Sequence, residues 1–252
     1  MDSFFRELGF RPRRKLGQHF IVDQELPQTI ARMVPLDVEV VEVGGGLGAL
    51  TEVLRKKTKR LTVVEIDKKL AGYLESRFEG IKVIHADILK IDIPATDYVV
   101  SALPYSISKK FVLKLVRDGD KWRHALLILQ KEFADKLTAQ PCEKNYREIS
   151  VLAQYSCIIR PLVRVPRRCF YPQPRVDSVL MLLSIKDSYS TTMAQLLADI
   201  VLRLFSYRNR SVRTAIELSG LSSQPRNLSA DLLKTRVSCL SVEGFVELAK
   251  KL

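Results

Sequence analysis

The glycine-rich segment VEVGGGLGAL contains residues whose type and spacing suit the binding of a nucleotide-like ligand. Gly44, Gly46 and Gly48 directly follow a run of β-branched residues, which predicts a turn between a strand and a helix. Glycine tolerates a sharp turn and lets the backbone approach a ligand closely. With Ala49 the segment also matches the relaxed dinucleotide pattern GxGxxA, so a nicotinamide cofactor is one candidate ligand. An ordinary tight turn is the alternative without a ligand.

Carboxylates follow at the ends of the next two strand-like runs. Glu65 lies about twenty residues after the glycines, where an acidic side chain accepts hydrogen bonds from ribose hydroxyls. That role suits a nicotinamide or an S-adenosylmethionine site. Asp87, in HADIL, is placed either to accept from the amine of a cofactor adenine or to cap the following loop. Asp67 begins a helical pattern, and N-capping is its expected role.

The segment SALPYS ends the fourth strand-like run, at the edge where open α/β sheets bind ligands. A dehydrogenase has no particular use for Leu-Pro-Tyr there, whereas an enzyme that methylates an aromatic amine does. The lone pair of such an amine is delocalised into the ring. Oxygen atoms that accept its N–H groups therefore favour a pyramidal nitrogen aimed at the methyl group. Tyr105 would stack on an extruded base, or else be a core tyrosine with a satisfied hydroxyl.

These residues need a parallel sheet covered by helices to bring them together, and the pattern up to about residue 185 predicts one. Apolar strand-like runs occupy 38–44, 60–67, 81–89, 97–104 and 124–130. Helical spacing occupies 50–58 and 68–78, and the runs 149–165 and 177–185 predict a terminal pair of strands. After a polar stretch the pattern is wholly helical. We predict a larger α/β domain over 1–186 and a small helical domain over 187–252.

The formal net charge is +13, from 41 Lys and Arg against 28 Asp and Glu. Such an excess indicates a polyanionic partner, a nucleic acid before an anionic membrane, because no basic amphipathic membrane anchor is evident. A solvated basic surface is the alternative.

The four cysteines have neither CxxC nor Cys/His ligand spacing. They predict reduced thiols, with no zinc site and no disulfide framework. The three histidines do not complete any metal pattern with them, so we expect no metal. The N-terminal segment is too charged for a signal peptide, and no run of about 18 apolar residues follows. We expect a cytoplasmic protein without a membrane segment.

Taken together, these segments resemble a known family, the small-subunit ribosomal RNA adenine N6,N6-dimethyltransferases of the archaeal and eukaryotic type. The glycine turn, VEID, HADIL and LPYSIS occur in the order and spacing of that family. KLGQHFIVD precedes them and is similar to the family's cofactor clamp, and CFYPQPRVDS follows them. LFSYRNRSVRTAIE resembles the basic helix of its C-terminal domain, and LSVEGFVELAKKL its closing helix. The likeness covers the full chain.

The resemblance implies a Rossmann-like class I methyltransferase fold with a mostly parallel seven-stranded sheet and a small helical domain. It implies S-adenosylmethionine as methyl donor and two adjacent adenines near the 3′ end of small-subunit rRNA as acceptors. The partner would be an immature 30S-type subunit, and we expect a monomer. The implied cofactor-binding residues are Gln18, His19, Ile21, Gly44, Gly46, Glu65, Asp87 and Ala102.

The implied catalytic positions are Ala102, Leu103, Pro104, Tyr105 and Phe170. Phe170 would pack against the target adenine opposite Tyr105. The residues expected to bind RNA are Arg11, Arg13, Arg14, Lys15, Arg203, Arg208, Arg210 and Arg213. A mobile basic arm and a solvated helix face are the alternatives for these two groups.

One position departs from the family, because Ala102 stands where Asn is characteristic. The carbonyl of Leu103 still offers one acceptor for the amine, but the side-chain acceptor is missing. By analogy with an oxyanion-hole donor, its loss costs a factor on the order of a hundred to a thousand in rate. An introduced change, a natural paralogue, or replacement by a hydroxyl of Ser101 or Ser106 would each explain it. We predict an impaired methyltransferase, with a non-catalytic RNA-binding assembly factor as the alternative.

Overall fold

The computed structural model describes residues 9–13, 16–102, 104–221 and 228–252. The strands within these ranges are β1 (Phe20–Ile21), β2 (Glu39–Val43), β3 (Arg60–Glu65), β4 (Lys82–His85), β5 (Tyr98–Ala102), β6 (His124–Gln130), β7 (Cys157–Val165), β8 (Phe170–Tyr171) and β9 (Ser178–Ile185). The α-helices are α1 (Glu25–Met33), α2 (Ala49–Leu54), α3 (Lys68–Arg77), α4 (Ser108–Arg117), α5 (Lys131–Thr138), α6 (Glu148–Ser156), α7 (Thr191–Phe205), α8 (Val212–Ser219), α9 (Ala230–Lys234) and α10 (Val242–Lys251). Short 3₁₀ helices cover Tyr105–Ile107, Arg167–Cys169 and Val237–Cys239.

Seven strands form one sheet in the order β4-β3-β2-β5-β6-β9-β7. The strands from β2 to β6 pair in parallel, and β9 pairs antiparallel with β6. The strand order reverses at β2, which has β3 on one side and β5 on the other. Ligands of open α/β sheets bind beside the carboxyl ends of the strands at such a reversal. The parallel sheet predicted from the sequence pattern is confirmed, and so are the seven strands that the resemblance implies.

The central strands consist mainly of aliphatic residues because helices cover both faces of a parallel sheet. Val40, Val63, Val100 and Leu126 are almost completely buried and belong to one hydrophobic core cluster. Ile30 of α1 is fully buried in the same cluster. Burial on both faces makes the period-2 alternation of a half-exposed strand unnecessary.

The stretch 149–165 is only half strand, so the predicted first member of the terminal strand pair is wrong over its first part. Residues 148–156 form α6, and only 157–165 form β7. Most of α6 is buried, and periodicity alone cannot separate a short buried helix from a buried strand. β7 and β9 do lie side by side at the end of the sheet, which confirms the pairing of the remaining part.

By their contacts the chain divides into two compact units. The first unit comprises 1–111, 121–131 and 160–184, and the second comprises 112–120, 132–159 and 185–252. The second unit thus includes segments that precede residue 187. A division into domains at 186/187 stays a prediction.

The second unit is built around buried aromatic side chains. The rings of Phe205 and Phe245 stack with their centroids 5.7 Å apart, and Tyr146 lies 6.0 Å from Phe205. The hydroxyl of Tyr146, inside the unit, donates a hydrogen bond of 2.9 Å to the carbonyl of Leu240. The four helices α7 to α10 occupy the segments after residue 190 for which the sequence predicts helix.

Two of the cysteines form a disulfide, so the prediction of reduced thiols is wrong for Cys142 and Cys239. The backbone N–H of Cys142 donates to the carbonyl of Ser238, which holds the two chain segments together. The cysteines are 97 residues apart in sequence, and spacing over that distance carries no information about contact. Cys157 and Cys169 are free thiols, as expected, and both are buried. No helix within the described ranges is long and apolar enough to cross a membrane.

Candidate active site

A cavity of about 170 Å³ lies at the carboxyl ends of the parallel strands in the first unit. Its walls come from the turn after β2, the ends of β3 and β5, the segment after β4 and the segment before β1. The sequence-predicted residues that line it are Gln18, His19, Gly44, Gly46, Glu65, Asp87, Ala102, Pro104, Tyr105 and Phe170. Residues from distant parts of the chain therefore meet in one cavity.

The turn after β2 needs glycine at two of its positions. Gly46 has φ +55°, and a Cβ there would lie 3.2 Å from the ring of Phe20. Gly48 caps α2 with φ +83°, and a Cβ there would lie 2.3 Å from Phe78. Both positions combine a left-handed backbone with close neighbours, so larger residues would displace the turn.

Glu65 is fixed at the end of β3 by two backbone donors. Its Oε2 accepts from the N–H of Gly46 at 3.0 Å, and its Oε1 accepts from the N–H of Asp67 at 2.9 Å. Burial raises the pKa of Glu65, whereas these hydrogen bonds act in the opposite direction. A carboxylate has about four acceptor positions, so Glu65 can accept two further hydrogen bonds from a ligand in the cavity.

Asp67 and Asp87 have the capping roles that the sequence suggested. Asp67 accepts from the N–H of Lys69 at 2.9 Å and begins α3. Asp87 accepts from the N–H of Leu89 at 3.0 Å through Oδ1, and it also lines the cavity. For Asp87, capping and a place in the site are therefore compatible.

The segment before the first helix is joined to CFYPQPRVDS by a small sheet that the sequence analysis did not anticipate. Phe20 pairs with Tyr171, and Ile21 pairs with Phe170, in the antiparallel sheet β1-β8. Nδ1 of His19 lies 2.6 Å from the carbonyl oxygen of Pro172. The two segments are about 150 residues apart, and no local pattern signals their pairing.

The aromatic residues predicted for the target base differ in their surroundings. Phe170 is 5% exposed, packs in the main core cluster and lines the cavity. Tyr105 is half-buried, and its hydroxyl lies 2.7 Å from the hydroxyl of Ser178. Burial raises the pKa of Tyr105, so its hydroxyl stays neutral. The ring of Tyr105 lines both the cavity and a wider outer groove of about 1460 Å³, and the ring of His19 lies 5.5 Å from it.

Ala102 is the last residue of β5 and lies beside Ile128 of β6. The hydroxyl of Ser101 donates to the carbonyl of Val43 at 2.6 Å and is buried, so it points to the sheet rather than to a ligand. Ser106 lines the cavity. Leu103 lies outside the described residues. Of the two serines considered as replacements for the missing amide, only Ser106 reaches the cavity.

Glu42 is a buried acid that the sequence analysis did not single out. Its Oε2 accepts from the hydroxyl of Thr51 at 2.7 Å, and its Oε1 has no partner among the residues that the structure describes. Burial raises the pKa of Glu42 to about 7. A void of about 40 Å³ between Glu42, Ile21 and Ala102 adjoins it. The available signal is an acidic residue between the valines of VVEV, in the middle of a run that predicts a buried strand.

The described part of the basic N-terminal segment is docked rather than loose. Phe10 is buried and packs edge-on against Phe20 with ring centroids 5.9 Å apart. The backbone N–H of Arg13 donates to the side-chain oxygen of Gln18, and its guanidinium lies 3.4 Å from Asp67. Arg11 is exposed on the outer groove. Arg14 and Lys15 lie outside the described residues.

The resemblance implied that the basic segment of the second unit is a single helix, and this expectation is wrong. Helix α7 ends at Phe205 and α8 begins at Val212, so Arg208 and Arg210 lie on the turn between them. Arg203, Arg210 and Arg213 are exposed, whereas Arg208 is half-buried. Arg203 pairs with Asp199 at 3.1 Å. Burial and the charge of Arg147 lower the pKa of Arg208.

Comparisons with known proteins agree with this architecture. The family model described as ribosomal RNA adenine dimethylase matches residues 9–252. The chain is 34% identical to a ribosomal RNA small subunit methyltransferase A of Malacoplasma penetrans, over 83% of this chain and 79% of that protein. It is 33% identical to a probable ribosomal RNA small subunit methyltransferase A of Thermococcus onnurineus, over 98% of this chain and 94% of that protein.

Solved structures show the same fold. A dimethyladenosine transferase from Plasmodium falciparum superposes with a TM-score of 0.78 at 23% identity, covering 91% of this chain and 96% of that one. The 23S rRNA methyltransferase ErmE superposes with a TM-score of 0.69 at 25% identity, covering 92% and 99%. The fold is that of the class I S-adenosylmethionine-dependent methyltransferases, and the dehydrogenase alternative is thereby set aside. The chain belongs to the ribosomal RNA adenine dimethylase family.

Proposed function

We propose that this chain transfers methyl groups from S-adenosylmethionine to N6 of two adjacent adenines near the 3′ end of small-subunit rRNA, at a reduced rate. The observation that carries the proposal is the single cavity shared by Glu65, Asp87 and Tyr105. Two carboxylates there suit the polar groups of a nucleoside cofactor, and an aromatic ring at the mouth suits a base taken out of its stack.

The residues of the cavity fit S-adenosylmethionine. Glu65 keeps two acceptor positions for ribose hydroxyls, and the backbone at Gly44 and Gly46 leaves room for close approach. Asp87 is placed to accept from an adenine amine, with the apolar side chains of Ile66 and Ile88 also lining the cavity. When bound, the cofactor supplies an electrophilic methyl group. The chain itself orients donor and acceptor and excludes water.

This chain offers few hydrogen-bond acceptors to the amine of the target adenine. Ala102 has no side-chain oxygen, and the hydroxyl of Ser101 is already donated to Val43. An aromatic amine held by fewer acceptors is less pyramidal and so a poorer nucleophile. No strong base is needed, because the proton on the alkylated amine is acidic and can pass to water. The reduced rate therefore follows from positioning rather than from a missing base.

RNA binding is proposed for two basic regions, one in each unit. Exposed guanidinium groups neutralise phosphates and release counterions, and the net charge of +13 favours that mode of binding. Arg210 and Arg213 are exposed arginines of the second unit, and neither has an ion-pair partner within the described residues. We propose that residues 187–252 form the RNA-docking domain and that the cavity lies in the catalytic domain. The chain would act as a monomer in the cytoplasm.

A second candidate function is a non-catalytic assembly factor that binds immature small subunits. The observation in its favour is that neither Ala102 nor Ser101 offers a side-chain oxygen to the amine, because the hydroxyl of Ser101 donates to Val43. The cavity would then bind the cofactor but would not activate the amine for methyl transfer.

The deciding experiment measures labelled methyl transfer from S-adenosylmethionine to small subunits that lack the modification. This chain is compared with its Ala102→Asn variant, and cofactor affinity is measured for both. We expect equal cofactor affinity and a transfer rate higher in the variant by a factor on the order of a hundred or more. Equal, high rates would mean that another group holds the amine. Tight subunit binding without transfer by either protein would favour the assembly factor.

A further inference from the structure

Gln130 carries a carboxamide on the outer groove, which shares Tyr105 with the cavity, and no part of the proposed mechanism uses it. It is the last residue of β6, two residues beyond Ile128, so the two side chains lie on the same face of the sheet. Ile128 lines the inner cavity, and Gln130 lines the outer groove. Gln130 therefore lies at the end of a strand, on the same face of the sheet as the cavity-lining Ile128.

A chain of contacts fixes Gln130 close to Tyr105. In the antiparallel pair β6-β9, Gln130 lies directly opposite Ser178. Side chains opposite each other in such a pair lie on one face, with their Cβ atoms about 5 Å apart. The hydroxyl of Ser178 is 2.7 Å from the hydroxyl of Tyr105. A base stacked on Tyr105 would thus present an edge within reach of the carboxamide of Gln130.

Two other glutamines line the outer groove, and their positions differ from that of Gln130. The side-chain oxygen of Gln18 already accepts from the backbone of Arg13 at 2.7 Å. Gln173 is exposed on the loop after β8. The carboxamide of Gln130 has no hydrogen-bond partner among the residues described, and of the three glutamines it is the one opposite Ser178, whose hydroxyl contacts Tyr105.

We infer that Gln130 recognises the target base as adenine, an inference that rests on the proposed function. A carboxamide offers one acceptor and one donor side by side, and adenine presents its N6 amine beside a ring nitrogen on either of two edges. The Gln130 oxygen accepts one N6–H, and its NH₂ group donates to the adjacent ring nitrogen. Through this pair of hydrogen bonds Gln130 selects the base, and it rejects bases with a carbonyl at that position.

The test measures equilibrium binding of an RNA hairpin that contains two adjacent adenines, with the demethylated cofactor S-adenosylhomocysteine present. Matched hairpins carry 7-deazaadenine or 1-deazaadenine at those positions, which replaces one ring nitrogen by C–H. For the unchanged chain, we expect one of the two analogues to weaken binding about tenfold. Gln130→Ala abolishes that preference, and so does Gln130→Glu, because a carboxylate cannot donate to the ring nitrogen.

Gln173→Ala is the control, since it removes a glutamine from the same groove and is expected to keep the full preference for adenine. A preference that persists in Gln130→Ala would overturn the inference, and so would its absence from the unchanged chain. A chain that binds none of the hairpins, even at low salt, would instead refute the proposed function, and the inference would fall with it. A purely structural role of Gln130 would change affinity for all three hairpins equally and would also refute the inference.

Discussion

The carboxylate of Glu65, at the end of β3, accepts a hydrogen bond of 3.0 Å from the backbone of Gly46 in the turn after the neighbouring strand. This contact joins the acidic residue directly to the glycine turn. The two features, nineteen residues apart in sequence, therefore form one preorganised structure. Preorganisation of this kind lowers the ordering that ligand binding requires.

Glu65→Gln is expected to weaken cofactor binding by about ten- to a hundredfold. The amide would place an NH₂ group against one of two backbone N–H donors, and one acceptor for a ribose hydroxyl would be lost. Calorimetric titration with S-adenosylmethionine measures the change. Glu39→Gln is the control, since Glu39 lies at the opposite end of β2 and pairs with Arg60. Unchanged affinity in Glu65→Gln would exclude Glu65 as a cofactor contact.

Comparison of Tyr105→Phe with Tyr105→Ala is expected to distinguish the contribution of the hydroxyl from that of the ring. The Phe variant leaves the buried hydroxyl of Ser178 without its partner, which lowers the free energy of unfolding by about 1 kcal/mol. It keeps the stacking surface, so RNA affinity changes little. The Ala variant removes stacking and weakens RNA binding by about 1–3 kcal/mol. Denaturant unfolding and RNA titration provide the two measurements. Equal losses of RNA affinity in both variants would show that the hydroxyl makes the contact.

The parts of the site that the sequence predicts are those whose signals are local. A run of aliphatic residues followed by glycines predicts β2 and its turn. Glu65 and Asp87 are predicted because each lies at the end of an apolar strand-like run. The sequence did not predict α6, because a short buried helix lacks a polar face and so shows no helical periodicity.

What the sequence did not predict is contact between distant segments. The pairing of β1 with β8, the hydrogen bond between Tyr105 and Ser178, and the Cys142–Cys239 disulfide all join segments more than seventy residues apart. Such contacts depend on the geometry of the whole sheet or helical unit, and no local spacing encodes them.

The pH dependence of stability is expected to reveal Glu42. Its pKa is raised from about 4.5 to about 7 by burial. Below pH 4.5 the carboxyl is protonated in both states and carries no penalty. As the pH rises above 4.5, the unfolded chain ionises while the folded chain stays protonated, so the free energy of unfolding falls until about pH 7. The resulting loss by pH 8 is on the order of 3 kcal/mol.

Glu42→Gln should remove that part of the pH dependence. Denaturant unfolding at pH 4.5 and pH 8 is compared for the unchanged chain, for Glu42→Gln and for Glu75→Gln, whose side chain is exposed on α3. We expect the decrease in the free energy of unfolding between pH 4.5 and pH 8 to be smaller by roughly 3 kcal/mol in Glu42→Gln, and to be unchanged in Glu75→Gln. The same decrease in all three proteins would show that Glu42 ionises normally in the folded chain.

The disulfide is expected to stabilise the second unit. Closing a loop of 97 residues restricts the unfolded chain, so reduction should lower the free energy of unfolding by about 2–4 kcal/mol. Thermal unfolding with and without dithiothreitol measures this effect, and the Cys142→Ser/Cys239→Ser variant should show no response to the reductant. Thiol titration in denaturant should find two free thiols, those of Cys157 and Cys169, without reductant. Four free thiols would refute the disulfide.

The arginines of the second unit are expected to contribute unequally to RNA binding. Arg210 and Arg213 are exposed, so alanine at either position should reduce the slope of log affinity against log salt by about 0.7–0.9. Arg203→Ala should change the slope less, because its guanidinium already pairs with Asp199 at 3.1 Å. Titration of a small-subunit rRNA fragment at several salt concentrations measures each slope. Equal slopes in all three variants and in the unchanged chain would place the RNA elsewhere on the molecule, since lost phosphate contacts necessarily release fewer counterions.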